Sequence, residues 1–150
     1  MGSRKKRNSN AIVNRRARHD YALGDSLVVG LQLSGPETKA LRLKHGQLQG
    51  AYVTVKDNEL WLVNAAIMGG NNLPITEEEQ TRTRKLLAKR KEIDDLIVSK
   101  QQGMTIIPLE ILTAGRYVKL RIAVGRGKKK YDKRQVLKQR DQQRQIDRAL

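Results

Sequence analysis

AYVTVKDNELWLVNA, residues 51–65, alternates apolar and polar side chains on either side of Asp57-Asn58. Period-two runs predict two half-buried strands, because successive strand side chains point to opposite faces of a sheet. Asp and Asn tolerate left-handed dihedrals, so the pair between the runs predicts a two-residue hairpin turn. The fold then depends on whether the flanking segments extend this antiparallel pair.

Upstream, LVVGLQL (residues 27–33) is β-branched and Leu-rich and stops at Ser34-Gly35-Pro36, which reads as a strand followed by a helix start. Ser34 with Glu37 three residues on forms a capping box, and Pro36 suits a first helical turn. This helix is expected to reach about Leu43 and to be ended by Gly46, with Lys39 and Arg42 one turn apart and both available to a phosphate. Downstream, Gly69-Gly70-Asn71-Asn72 reads as a flexible loop. Thr76 and Glu79 form a second capping box, from which a long helix is expected through about Ser99, its acidic first turn matching the helix dipole. Leu86, Ile93, Leu96 and Ile97 mark its buried stripe and cations cover the rest. After Gly103, MTIIPLEIL (residues 104–112) and RYVKLRIAV (residues 116–124) read as closing strands about a turn at Gly115, with Pro108 marking an edge or a bulge. Hairpins rather than βαβ units, with one long and one short helix, point to a mainly β, antiparallel, OB-like barrel of five or six strands.

Charge says what such a barrel meets. The chain of 150 residues holds 31 Lys and Arg against 15 Asp and Glu, a net charge of +16, and no cysteine. Residues 1–18 carry 7 basic and no acidic side chains, residues 126–150 carry 10 basic and 3 acidic, and the stretch between is nearly balanced. Two cationic ends on a neutral domain require a polyanion. Nucleic acid is the first candidate. An anionic membrane is demoted, because the uncharged stretches are short, Gly-punctuated and strand-like. No apolar segment follows the basic opening, so no signal peptide is expected, and the absence of thiols leaves neither disulfides nor thiolate metal sites. The protein is expected to be cytoplasmic. Residues 1–13 lack an apolar anchor and are expected to be a disordered basic arm, with the barrel domain over 14–125. Residues 126–150 hold too few apolar positions, among them Val136, Leu137 and Ile146, to bury against the domain. They are expected to be a flexible tail, helical only against a partner, hinged at Gly125 and Gly127.

Three clusters carry chemistry. NRRARHDY (residues 14–21) offers arginine forks together with the stacking faces of His19 and Tyr21, as RNA loops require. Its plainer alternative is a solvated basic arm with His19 and Tyr21 packing on the domain edge. TRTRKLL (residues 81–87) is basic on one side and Leu on the other, which on a helix is usually a solvated face. GRGKKKYDKR (residues 125–134) is a Gly-rich basic linker except for Asp132, which a simple polycation does not explain. An enzyme is not expected. His19 beside Asp20 lacks a nucleophile, Asp94 and Asp95 diverge as helix neighbours, His45 stands alone, and no metal-ligand spacing, phosphate loop or serine–histidine–acid set is present.

NRRARHDY, GPETKALR (residues 35–42), TRTRKLL, GMTIIPLEI and VGRGKKKYDKR follow one another in the order and spacing of the SsrA-binding protein family, also called small protein B, which the chain resembles over residues 14–150. The resemblance implies a six-stranded OB-like barrel with about three helices and a basic C-terminal tail. It implies that the barrel grips the transfer-RNA-like part of transfer-messenger RNA, alongside elongation factor Tu on the aminoacylated RNA. The tail would enter the decoding region and empty messenger channel of a stalled ribosome, the ribosome itself catalysing trans-translation, with no cofactor or metal. Carried over by position, Asn14, Arg15, His19, Glu37, Lys39, Arg42, Leu87 and Lys119 form the RNA-gripping set. Arg16, Arg18, Tyr21, Arg82, Arg84 and Lys85 join it from the basic clusters. Lys128, Lys129, Lys130, Tyr131, Asp132, Lys133 and Arg134 are the implied ribosome-engaging elements. Val28 stands where the family usually has an acid, Pro36 where an aromatic or Thr is usual, and Thr38 where Val is usual. The competing function is a constitutive ribosomal RNA-binding protein, whose basic arms would look much the same.

Overall fold

The hairpin forms as its alternation requires. In the computed structural model, which describes residues 11–70 and 73–128, Tyr52–Lys56 and Glu59–Val63 pair antiparallel from Tyr52↔Val63 to Lys56↔Glu59. Asp57 and Asn58 both take left-handed backbone, with φ of 53° and 60°, the turn whose twist suits a two-residue hairpin.

In chain order the elements are β1 (Ala11–Val13), α1 (Ala17–Asp20), β2 (Tyr21–Leu31), α2 (Gly35–Arg42), β3 (Gly46–Gln47), β4 (Tyr52–Lys56), β5 (Glu59–Val63), β6 (Ala66–Ile67), α3 (Glu77–Gln80), β7 (Arg84–Leu87), α4 (Arg90–Gln101), β8 (Thr105–Leu112) and β9 (Lys119–Gly127). The sheet runs β8-β4-β5-β7-β2-β9, and β9 pairs back onto β8, so six antiparallel strands close a ring with β1 added outside β8. The expected six-stranded antiparallel barrel is therefore the observed one, with four helices among the described residues rather than about three. Closure leaves the six ring strands without a free edge. Its interior is aliphatic: Leu60, Leu86, Ile106, Leu120 and Ile122 are fully buried, joined by Ala40 and Leu41 of α2 and by Ile93 and Leu96 of α4.

The local signals that held are the ones whose chemistry is short-range. Ser34 Oγ accepts from the Glu37 backbone and Glu37 accepts from the Ser34 backbone, so the capping box opens α2 with Pro36 in its first turn. At Pro108, which has no N–H to give a ladder, the β8–β9 register shifts between Pro108 and Glu110.

Five expectations change. The long helix from Thr76 to Ser99 does not exist: Thr76 caps only the four-residue α3, residues 84–87 form β7, and α4 starts at Arg90. The closing ring needs a strand between β5 and β2, and residues 84–87 supply it, with Arg84 and Leu86 buried and Leu87 exposed. Gly46 does not end α2, because Lys44 takes the left-handed turn at φ 63° and Gly46 lies in β3. Ala11–Val13, ahead of the expected domain start at Asn14, already belong to the barrel, since β1 pairs with β8 and Ile12 enters the core. The last strand spans Lys119–Gly127 rather than residues 116–124, and β2 reaches back to Tyr21 to meet it. Gly125 and Gly127 therefore sit in the ladder and are no hinge. At Gly125 a side chain is excluded, because a Cβ would lie 2.9 Å from both the Ala22 carbonyl oxygen and Ile107 Cδ1. The basic arm over residues 1–10, the Asn71-Asn72 part of the expected loop and the tail beyond Lys128 lie outside the described residues.

Candidate nucleic-acid interface

The N-terminal cluster is fixed by a bulge and a buried alanine. Asn14 donates its backbone N–H to the Leu109 carbonyl at 2.8 Å and its side-chain amide to the Pro108 carbonyl at 2.9 Å, satisfying the strand where Pro108 breaks the register. Ala17 is buried, so the single turn of α1 packs on the barrel with Arg15, Arg16, Arg18 and His19 on its exposed side. His19 Nδ1 lies 2.9 Å from Asp20 Oδ1, and Arg16 lies 3.7 Å from the same carboxylate. Tyr21, half-buried, opens β2 opposite Gly127. Lys128 docks here as well: its backbone N–H donates to the Asp20 carbonyl and its Nζ to the Arg18 carbonyl at 3.0 Å. The cations of residues 15–18 thus meet the start of the C-terminal basic segment at one end of the barrel. The segment packs on the domain edge through Ala17 and the half-buried Tyr21, with His19 and the arginines exposed.

A second surface lies on the outside of β2, β7 and β9. Val28, Gly30, Leu87 and Lys119 wall an open groove of about 580 Å³ together with Lys85 and with Lys89 at the head of α4. Gly30 makes the groove, because a Cβ there would come 3.1 Å from Leu87 Cβ. Leu87 and Val28 stay exposed at 51% and 37%. An apolar floor rimmed by lysines suits the faces of bases and the charge of phosphates at once. Glu59 and Glu92 also line it, so one flank carries negative charge.

Besides Asn14, four residues of the expected RNA-gripping set are engaged by contacts within the fold. Glu37 is 2% exposed and Arg84 is fully buried. Glu37 accepts from Arg84 Nε at 2.7 Å, and from Arg82 through both Nε and Nη2. Arg84 spends its remaining donors on the backbone carbonyls of Ala65, Glu79, Gln80 and Arg82. Burial by itself pushes the Glu37 carboxyl up, but hydrogen bonds from Arg82, the Ser34 backbone and Arg84, with the charge of Arg84, outweigh it and hold the group at about 2. Burial pulls Arg84 below its ordinary value, opposed by Glu37. Arg82 is half-buried in the same pair. Glu37 and Arg84 are buried in the fold and hold α2, β6 and β7 together. Arg42 is likewise occupied, donating to the carbonyls of Thr113, Gly115 and Arg116 at 2.8–3.1 Å, which fixes the β8–β9 turn to the end of α2. Lys39 is exposed one turn earlier.

The structure therefore gathers Arg15, Arg16, Arg18, His19, Tyr21 and Lys128 at one end of the barrel, and Lys85, Leu87 and Lys119 along one groove. It removes Glu37 and Arg84 from the surface and leaves Lys129, Lys130, Tyr131, Asp132, Lys133 and Arg134 outside the described residues. Lys89 and Val28 belong to the groove without having been singled out for it, and only the misassigned helix hid their strand neighbours. Among the described residues no three His, Asp or Glu side chains converge where a metal ion could sit, and no helix is long and apolar enough to cross a membrane.

Comparison with known proteins agrees over nearly the full length. The family model described as SmpB protein matches residues 11–150. The SsrA-binding protein of Mycobacterium sp. strain KMS is 42% identical over 151 residues, spanning 99% of this chain and 90% of that protein. Those of Trichormus variabilis and Streptococcus thermophilus are 43% and 38% identical, each over 91% of this chain and 90% of the relative. A solved structure described as "tmRNA-SmpB: a journey to the center of the bacterial ribosome" superposes with a TM-score of 0.66 at 34% identity, covering 81% of this chain and 87% of that one. With the order of its motifs, the closed barrel they fold into and these relatives agreeing, the chain belongs to the SmpB family of SsrA-binding proteins.

Proposed function

We propose that this chain binds transfer-messenger RNA and serves trans-translation as an adaptor in the cytoplasm, delivering that RNA to stalled ribosomes without catalysing a reaction itself. The observation that carries the reading is the family match over residues 11–150, which includes the basic C-terminal segment as well as the barrel. The surface chemistry supports it. Arginines and an imidazole on α1 supply phosphate forks and a stacking face, and the groove of Leu87, Lys85 and Lys119 supplies an apolar floor with cations. Lys39 adds a cation beside α2. Asn14, Glu37, Arg42, Arg82 and Arg84 act by holding these surfaces in place. Residues 128–134, including Tyr131 and Asp132, engage the decoding region and empty messenger channel, and elongation factor Tu shares the aminoacylated RNA.

Two measurements test this. Labelled transfer-messenger RNA should shift with the full-length chain in the presence of excess bulk transfer RNA, and the chain should co-sediment with ribosomes stalled on truncated messages but not with every small subunit. Uniform co-sedimentation with all small subunits would make it a constitutive ribosomal protein instead.

A further inference from the structure

The barrel is built without aromatic side chains in its core. Every fully buried apolar residue is Leu, Ile, Val or Ala, and the chain holds no Phe, one Trp and four Tyr. Aromatic rings normally dominate cores, because they bury more area than any aliphatic side chain. Here those that are described lie at the surface or half-buried, and the most exposed is Tyr117, at 68%.

Tyr117 sits in the turn between β8 and β9. The inward-outward alternation of β9 already holds there, with Val118 and Leu120 buried while Tyr117 and Lys119 face out. By this alternation Tyr117 is exposed on the outer face of the chain two residues before Lys119, a wall of the groove. Arg116 lies beside it, its guanidinium carbon 5.6 Å from the ring centroid, within the range of a cation–π contact. The turn is also held: the three donations from Arg42 end on Thr113, Gly115 and Arg116, the residues leading into Tyr117. A ring with few rotatable bonds on a pinned turn loses little freedom when a ligand covers it.

We propose that Tyr117 and Arg116 form a stacking platform for one unpaired nucleobase of the bound RNA, just ahead of Lys119 in the chain, with Arg42 as the residue that positions it. This rests on the RNA-binding reading above and adds a contact to it. The base covers the exposed ring, the guanidinium stays beside the ring and forks to the flanking phosphate, and the tyrosine contributes through its face and not through its hydroxyl.

The test uses the full-length chain and a transfer-messenger RNA transcript, with affinity measured over a range of salt. Tyr117→Ala should weaken binding about 5- to 150-fold, the range for losing one stacked base, and leave the salt dependence unchanged, because no charge is removed. Tyr117→Phe and Tyr117→Trp should bind within about twofold of the parent, since any π face serves. The Trp variant should show quenching on RNA addition beyond that of Trp61 in the parent. Arg116→Ala should lower the slope of log affinity against log salt by about one. Melting temperatures of the Tyr117 variants should match the parent. Tyr117→Ala binding like a parent that itself selects this RNA over bulk transfer RNA overturns the platform and leaves the RNA-binding reading standing. A parent that shows no such selection overturns that reading first. Equal losses in Tyr117→Ala and Tyr117→Phe would assign a hydroxyl hydrogen bond instead. Normal RNA affinity with lost ribosome recruitment would assign the surface to another partner.

Discussion

Glu37 shows what one residue reveals and what it conceals. That it caps α2 is readable three positions away, because Ser34 and Glu37 answer each other's backbone groups within one turn. That it also neutralises Arg84, 47 residues on, is not readable, because nothing local marks a cation as destined for burial. Since the folded carboxyl lies at about 2 and its ordinary value at 4.5, its contribution to stability is complete above about pH 4.5 and is lost as pH falls through about 2. Comparing urea unfolding of parent and Glu37→Gln at pH 7 should give a loss of about 3–5 kcal/mol, the cost of leaving a buried Arg84 without its counter-charge. The gap should narrow as pH drops from 4.5 towards 2; a gap independent of pH would show that Glu37 is not ionised in the fold. The N-terminal cluster divides in the same way. Asn14→Ala removes the amide that satisfies the Pro108 carbonyl and should lower stability by about 1 kcal/mol. Arg15→Ala and His19→Ala remove exposed side chains and should leave the melting temperature alone while weakening RNA binding by about 1–3 kcal/mol. Thermal melts alongside filter binding separate the two outcomes.

At the scale of elements, legibility followed how locally each element is determined. The hairpin at Asp57-Asn58, the start of α2 and the bulge at Pro108 depend on turn dihedrals, caps and a missing N–H, all written in a few adjacent residues. TRTRKLL was misread because its alternation, with Thr81, Thr83, Lys85 and Leu87 facing out and Arg84 and Leu86 buried, places an arginine at a core position. A helix with a basic face accounts for those letters equally well until Glu37 is known to be opposite. Half of the groove was hidden with it, since Leu87 and Lys85 line it together only from a strand. The glycines at the end of β9 were misread for the converse reason. Local chemistry calls Gly125 flexible, whereas the approach of Ala22 and Ile107 makes it a packing position. Gly125→Ala should therefore destabilise the barrel by about 1–3 kcal/mol through overpacking, seen as a lower urea midpoint with an unchanged slope. A hinge would tolerate the methyl group with no change in midpoint.

Across the whole molecule, the near-neutral centre and the two cationic ends readable in composition map onto a barrel whose first and last strands bring those ends together. β1 pairs with β8, β2 with β9, and Lys128 bonds the backbone of α1, so the chain leaves the barrel beside the arginines of residues 15–18. This moves the boundary at which a division of labour can be tested. Truncation after Val124 would strip three residues of β9, including the Gly125 and Gly127 pairings with Leu23 and Tyr21, and so would confound folding with function. Truncation after Lys128 keeps the whole ladder and both Lys128 contacts, and it removes Lys129 to Leu150. Those residues hold 8 of the chain's 31 basic side chains, so the truncated protein should melt like the parent, retain selective transfer-messenger RNA binding with a shallower salt dependence, and fail to support peptide tagging on stalled ribosomes. Substituting Asp132, Lys133 and Arg134 together by alanine in the full chain should approach the same loss of tagging with RNA affinity nearly intact. Tagging that survives the truncation, or RNA binding that falls in step with tagging, would mean that barrel and C-terminal segment act as one RNA-binding surface.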